Sequence, residues 1–507
     1  MLNRQERTVL IGLLLFALFF RLATLMMIHT GVDERDYWFS AKAIAHGLPY
    51  PELSHRTTRW TVILPVAAAQ VILGSHPDVY YVLPILNSLA QVTLAFLLGI
   101  RLRGRLTGFL AGLGLALFPY MIRAGSQVRP EIFSITYMLI VFFCFVTYLE
   151  RTENDVRSLL WTAGWLFVAY EAKVTNLFFL PGLLLIIALQ KRKLTHVLLF
   201  GGVLFLLFLL ETGAYAVFTP YKLGQLEIIA THHLESASPL IVHRFVDLFQ
   251  RYSTANLQIY WQVPFALFAV AAAYFLIKGK DARLSALIVA TLFFFAGVTF
   301  EVAGLNPIRP AESFINRYFC AVLGPVFLVL GCAAEAIVRR LRKEDESTVP
   351  YLGFLAFCAA AVLAIFSLPR LPAGIRMYAN SPLHLRQHPL VLNETYRRQI
   401  NTAYAEGMPI VSAGDGGGDN ALQTCESYFI DSSFYKVGRP PQYVRTRYAG
   451  VDYLVLAPEG GGITTESVLA AVRFPFRVVP LPVRSIHLMT SDSVDGTKGS
   501  TNNDVDQ

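Results

Sequence analysis

Apolar runs of roughly 15 to 22 residues, long enough to span a bilayer, recur along this chain between short polar connections. Eleven fall near 8–28, 81–100, 106–122, 132–149, 158–170, 175–190, 195–213, 262–277, 284–302, 319–337 and 350–368. Each predicts a transmembrane helix. The apolar stretch Trp60 to Leu73 has Pro65 inside it and is too short to span comfortably; it predicts a helix lying in the membrane interface. From about residue 369 the pattern turns polar, and Pro372, Pro382 and Pro389 mark an irregular linker. Beyond it, Met408 to Ser412, Tyr453 to Leu456 and Phe476 to Pro482 predict short strands, and Thr465 to Val472 a helix. Residues 491–507 are polar and predict a disordered tail. The expected fold is a mainly α, polytopic membrane protein with about 11 transmembrane helices, carrying a small C-terminal extracytoplasmic α/β domain. Its parts are a membrane module over 1–368, the α/β domain over 369–490 and the tail.

Charge orients the runs. Arg4/Arg7, Arg101/Arg103/Arg105, Arg151/Arg157, Lys191 to Lys193, Lys278/Lys280/Arg283 and Arg339/Arg340/Arg342/Lys343 occupy alternate connections. Cytoplasmic loops carry such clusters, so the N-terminus is expected in the cytoplasm and, after an odd number of spans, the C-terminus outside. The outer connections are then 29–80, 123–131, 214–261 and 303–318. A bacterial inner membrane is the expected location. The first run lacks a small-residue cleavage site after it and reads as a retained span.

Composition narrows the class. The chain is 54% hydrophobic and 15% charged, against about a quarter charged in soluble domains. Its net charge of +8 comes from the loop clusters and points to topology, not to nucleic acid. The five cysteines are scattered and suggest neither a disulfide framework nor metal spacing. There is no phosphate-binding Gly-x-x-x-x-Gly-Lys-Ser/Thr and no Gly-x-Ser-x-Gly nucleophile elbow. Asp415-Gly-Gly-Gly-Asp419 lacks the acidic spacing of a calcium loop, and Asn393-Glu-Thr395 is a formal glycosylation triplet of a kind common by chance.

The candidate chemistry gathers at the outer boundary. Asp33 and Glu34 lie just past the first run; they suit a general base or a cation ligand, or else a solvated pair capping the next helix. Arg21, inside the first run, must face the bundle, packing on a polar neighbour or snorkelling. Arg129 and Glu131 flank Pro130 in the second outer loop, where a helix start alone explains them. Lys173 stands on the wrong side for the charge rule; it suits a phosphate ligand or an ion pair with Glu171 or Glu211. Arg309 and Arg317-Tyr318 belong to the last outer loop, and arginine suits bidentate capture of phosphate oxygens. His232-His233 with Glu235 has no third ligand at a regular spacing.

Taken in order, Arg21, Asp33-Glu34 with Tyr37, the long first loop, Lys173 and Arg317-Tyr318 resemble the GT-C glycosyltransferases over residues 8 to 335. The nearest branch in pattern is that of protein O-mannosyltransferases and bacterial lipid A aminoarabinose transferases. Glu131 departs from it, since relatives usually carry Asp there. The resemblance implies transfer of a sugar from a polyprenyl-phosphate donor at the outer face to a lipid, glycan or protein acceptor. It favours Asp33 over Glu34 as base. Such a donor has a phosphate leaving group, which needs cations and no general acid. Lys173 and Arg317, with Tyr318 and Arg309, are the expected phosphate ligands, and Arg21, Tyr37, Arg129 and Glu131 the supporting residues. One displacement predicts inversion. No cofactor is expected; a divalent cation shared by Asp33, Glu34 and Glu131 is conceivable but not favoured. Two other classes stay open: a transporter or flippase of lipid-linked sugars, which would place broken helices and charges at the midplane, and a scaffold displaying the C-terminal domain.

Overall fold

The computed structural model describes residues 2–342 apart from 24, 26–31, 75–77, 152–155, 190–193, 236–240, 253–256, 258, 280, 306–307 and 311–315, together with five strands between 410 and 489. The eleventh predicted span, the proline linker, the helix at 465–472, the Asp415–Asp419 turn, the Asn393 triplet and the tail lie outside the described residues.

The chain divides into a helical unit, drawn mainly from 1–381, and a second unit, drawn mainly from 382–507. The helical unit contains α1 Arg4–Ala23, α2 Val32–His46, α3 Trp60–Leu73, α4 Val79–Leu102, α5 Arg105–Leu117, α6 Pro119–Ala124, α7 Pro130–Glu150, α8 Val156–Ala172, α9 Leu180–Leu189, α10 Leu194–Phe218, α11 Gln225–Glu235, α12 Ile259–Lys278, α13 Ala282–Phe300 and α14 Leu323–Arg342. Ten of the eleven predicted apolar stretches are occupied by these helices. Among the described residues six helical segments are long and apolar enough to cross a membrane: Val79–Leu102, Pro130–Glu150, Leu194–Phe218, Tyr260–Lys278, Ala282–Phe300 and Arg317–Leu341. The chain is an integral membrane protein. Helix α1 is 20 residues long but carries Arg4, Glu6, Arg7 and Arg21, and two other stretches are shorter for local reasons. The run 106–122 breaks at Pro119, which cannot continue α5. The run 175–190 opens as a 3-10 turn, Val174–Phe179, before α9.

Small residues and prolines set the packing. A Cβ on Gly99 of α4 would lie 2.4 Å from the Cα of Gly108 on α5, so glycine permits that close helix contact. Pro130 sits at the first position of α7, with Arg129 extended before it. Few residues of α10 are buried, and Leu198, Phe205, Leu206, Leu209 and Leu210 are exposed, as a lipid-facing helix requires. Where a plain loop was expected, Val302–Leu305 (β1) and Ile308–Pro310 (β2) pair as an antiparallel hairpin.

In the second unit Ile410–Ser412 (β3) lies parallel to Val451–Ala457 (β5), and Gln442–Tyr448 (β4) lies antiparallel to β5 with Tyr448 opposite Val451. Arg477–Pro480 (β6) and Ile486–Met489 (β7) form a separate antiparallel pair. β3, β5 and β6 match predicted strands; β4 and β7 were not expected.

Candidate active site

Four helix ends meet at one end of the bundle. The first turn of α2 carries Asp33 and Glu34, and the first turn of α7 carries Glu131. The residue after α8, Lys173, is extended and begins the 3-10 turn. Asn316–Val322, a 3-10 turn leading into α14, carries Arg317 and Tyr318. The sequence spreads these groups over nearly 300 residues; the fold makes them neighbours.

The two acidic residues of the opening pair have different surroundings. The Asp33 carboxylate is gripped at both oxygens: Arg56 Nε lies 2.6 Å from Oδ1 and Arg317 Nη1 donates to Oδ2 at 2.6 Å. Burial pushes the Asp33 carboxyl upward, but Arg317, Arg56 and Arg59 outweigh it and hold it at about 2. Glu34 is buried and bonded to Arg129. There burial pushes the carboxyl up, against the Arg129 guanidinium. The pair is therefore no solvated loop cap. Asp33 remains one-fifth exposed and ionised, while Glu34 is sealed in a helix–loop bridge.

Lys173 is also buried, and its Nζ donates to Glu131 Oε1 at 3.1 Å and to the Arg317 carbonyl at 2.9 Å. Its counter-ion is thus Glu131, not Glu171 or Glu211. The latter accepts from the Gln225 N–H at 3.0 Å and from the Tyr170 hydroxyl. The Tyr318 ring lies under both Lys173 and Arg317, with centroid distances of 4.9 and 5.8 Å. Tyr37 is fully buried, and its hydroxyl has no hydrogen-bond partner among the described residues. The Arg59 guanidinium lies over the Tyr37 ring at 5.8 Å.

Two expected site residues stand apart. Arg21 donates to Ser88 Oγ at 2.7 Å and to the Ala116 and Leu115 carbonyls at 2.8 and 3.2 Å. It closes the C-terminal end of α5, where helix carbonyls lack partners. Gly125 leaves room for it, since a Cβ there would come within 2.6 Å of Arg21 Nε. Arg309 is exposed on β2, with no ion pair to the cluster among the described residues.

Three members were not foreseen. Arg56 donates to Asp36 at 3.2 Å and is ion-paired to Asp33, and Arg59 donates to the His55 and Ala172 carbonyls. The signal for them was present: like Lys173 and Arg317, both arginines are cations in a connection that charge patterning assigns outside. His55 stacks on His232 with ring centroids 3.5 Å apart, and burial, His232 and the two arginines hold it neutral, at about 3.

Among the described side chains, four cations (Arg56, Arg59, Lys173, Arg317) thus face three carboxylates (Asp33, Asp36, Glu131), leaving one net positive charge beside a partly exposed carboxylate. The arrangement suits a monoanionic ligand.

No protein-family model and no curated protein matches the sequence. Solved structures do. ArnT from Cupriavidus metallidurans bound to undecaprenyl phosphate is similar with a TM-score of 0.51 at 12% identity, over 96% of this chain and 98% of that one. The same protein in the apo state gives a TM-score of 0.46 at 15% identity, over 76% of this chain and 72% of that one. The archaeal oligosaccharyltransferase AglB from Archaeoglobus fulgidus, in complex with an inhibitory peptide and a dolichol-phosphate, gives 0.46 at 12% identity over 75% of this chain. The chain spans only 56% of the length of AglB. At such identities the likeness is one of architecture, and the ArnT match over nearly the whole of both chains assigns this protein the GT-C fold.

Proposed function

We propose that this protein is a membrane glycosyltransferase that moves a sugar from a polyprenyl-phosphate donor to an acceptor hydroxyl, with Asp33 as base. The observation that supports it most is the meeting of one ionised, partly exposed carboxylate with Arg317 and Lys173 at the boundary of the helical bundle. The binding of undecaprenyl phosphate by ArnT and of dolichol-phosphate by AglB fits the same donor class.

The residues would share the reaction as follows. A sugar linked through its anomeric carbon to a phosphodiester carries one negative charge, which matches the net charge of the cluster. Arg317 and Lys173 hold the phosphate oxygens, and Tyr318 walls that site. The acceptor hydroxyl gives its proton to Asp33 as its oxygen bonds to the anomeric carbon. The carbon–oxygen bond to phosphate breaks, and its electron pair leaves with polyprenyl phosphate, now a monoester. Cations aimed at that departing charge lower the barrier. A single displacement inverts the anomeric configuration. Glu131 keeps Lys173 in place, Arg129 fixes Glu34, and Arg21 holds the bundle around them.

The reaction as drawn needs no metal ion. Asp33, Glu34 and Glu131 each already face an arginine or lysine, so a divalent cation would have to displace those pairs. A flippase reading finds less support: Arg21, the ionisable residue inside the first run, is tied to α4 and α5.

The test is transfer from a radiolabelled undecaprenyl-phosphate sugar to cell-envelope material by the purified protein, with the anomeric configuration of the product read by NMR. Retention would overturn the single displacement. Absence of transfer, with glycolipids and glycans unchanged by mass spectrometry in a strain lacking the protein, would overturn the function. The outer-face placement predicts that Leu48→Cys, at an exposed position after α2, reacts with an impermeant thiol reagent in intact cells. Labelling only after permeabilisation would overturn that topology.

A further inference from the structure

The two arginines on Asp33 are not equivalent. Arg56 is fixed from both sides. Its guanidinium spans Asp33 and Asp36, one helical turn apart on α2. Its loop is stitched by Ser54 and Thr57: the Ser54 N–H donates to Thr57 Oγ1 at 2.7 Å, Thr57 Oγ1 donates to the Glu52 carbonyl at 2.8 Å, and the Arg56 N–H donates to Ser54 Oγ. Among the described residues Arg317 is ion-paired to Asp33 alone, although the Glu131 charge also acts on it, and it is nearly one-third exposed. Its own carbonyl bonds Lys173, which puts it beside the other cation suited to phosphate.

A base with both oxygens held by guanidinium groups cannot take a proton efficiently, because each bond stabilises the charged form. In this arrangement Asp33 is blocked. Arg317 is also the better placed of the two arginines for a donor phosphate, so phosphate and Asp33 compete for it.

We propose that Asp33 is shared by two arginines with different duties: Arg56 is a positioning residue that keeps its hold throughout, whereas Arg317 passes from Asp33 to the donor phosphate and frees the base only once donor is bound. The inference rests on the glycosyl-transfer reading. It makes transfer ordered, with donor first, and suppresses proton abstraction in the empty enzyme. The electron balance is that of the transfer itself. After the displacement Asp33 carries the acceptor's proton and no longer competes for Arg317, which stays with the polyprenyl phosphate until product leaves.

The decisive measurement is binding of undecaprenyl phosphate to the purified full-length protein, read by titration in detergent. Removing the charge of Asp33 removes the competitor, so Asp33→Asn binds tighter, by about fivefold for a partly exposed pair. Equal or weaker binding by a folded Asp33→Asn overturns the proposal while leaving the donor class intact. No binding by the wild type overturns the donor assignment with it. Arg56 has a separate readout. With one cation gone Asp33 becomes more basic, so in Arg56→Gln the acid limb of the transfer rate moves up by about one pH unit, and Arg56→Lys falls between. A limb that stays where it is in the wild type, with only the rate reduced, makes Arg56 merely structural and overturns its part.

Discussion

The two ends of the helical bundle are built from the same residue types and use them differently. Helix α7 links them, with Glu131 in its first turn and Glu150 at its last residue, about 28 Å apart by the helical rise. At the Glu150 end the arginines close helix termini. Arg101 bonds Glu150 and Thr147, and Arg283 bonds Glu150, Asp281 and the Arg101 carbonyl. Arg339 reaches the Arg103 carbonyl at 2.7 Å and Glu335 at 2.6 Å. Glu335 in turn accepts from the Thr107 N–H at 3.0 Å and the Thr107 hydroxyl at 2.7 Å. Those bonds meet helix termini, whose carbonyls and N–H groups lack partners along the helix, while Arg103 Nε is buried with no hydrogen-bond partner among the described residues. At the Glu131 end the charged side chains bond one another across helix starts, the Tyr37 hydroxyl is buried with no hydrogen-bond partner among the described residues, and Asp33 is held by arginines that are themselves partly exposed. An Arg–carboxylate network is thus no mark of function by itself.

The sharpest way to break this contrast is Asp33→Asn. It keeps the shape and removes the base, so transfer falls by roughly 10²- to 10⁴-fold, the usual worth of general base catalysis, while expression stays near wild type and the unfolding temperature in detergent falls by no more than the loss of the Asp33 ion pairs accounts for. Full activity with the true donor would remove Asp33 from the chemistry. Next in size is Lys173→Ala. It takes one charge-assisted contact from the donor phosphate, so donor KM rises by roughly 10- to 100-fold, and Glu131 is left buried without its cation. An effect confined to the acceptor would deny Lys173 a phosphate role.

The opposite end gives the complementary test. Glu335→Ala leaves the fully buried Thr107 N–H and hydroxyl without their acceptor. The loss is about 1–3 kcal/mol of stability, seen as a lower unfolding temperature with kcat/KM unchanged. Transfer that collapses while stability holds would mean that the two ends are not divided as described.

Much of this was legible in the sequence, and for definite reasons. The spans announce themselves because a bilayer demands length and apolarity, and ten predicted stretches are helical. What hydropathy cannot see is a break inside a run: Pro119 splits the run 106–122, and the run 175–190 opens as a 3-10 turn before α9. Lys173 and Arg317 were found because cations on the outer side of a membrane need a reason, and Asp33 because two adjacent carboxylates at its boundary do. Arg56 and Arg59 carried the same signal in Ser54-His-Arg-Thr-Thr-Arg59 and were passed over, since a long loop excuses charge. Pairing was not legible at all. Lys173 has acidic candidates at 171 and 211, yet it bonds Glu131, because only folding sets the start of α7 against the end of α8. Arg21 was expected among the supporting residues, but its bonds are to helix carbonyls that no sequence pattern announces. Strand β4 hid its alternation behind Arg445 and Arg447, which broke the apolar pattern used to find strands.

The smallest effect is in pH. Burial raises the Asp33 carboxyl, the three arginines lower it further, and it settles at about 2 against about 4 in an unfolded chain. A lowered carboxyl stabilises the fold above its unfolded value and loses that contribution as pH falls through its folded value. The contribution is on the order of 2 kcal/mol, constant from pH 8 to 5 and fading between about 4 and 2. The stability difference between wild type and Asp33→Asn should therefore stay level across the working range, and the wild-type transfer rate should show no acid limb from Asp33 above about pH 4. A difference that shrinks already between pH 6 and 5 would mean that Asp33 titrates as an ordinary carboxylate. The arginines would then be neighbours rather than ligands, and the excess of cations at this end would no longer act on the base.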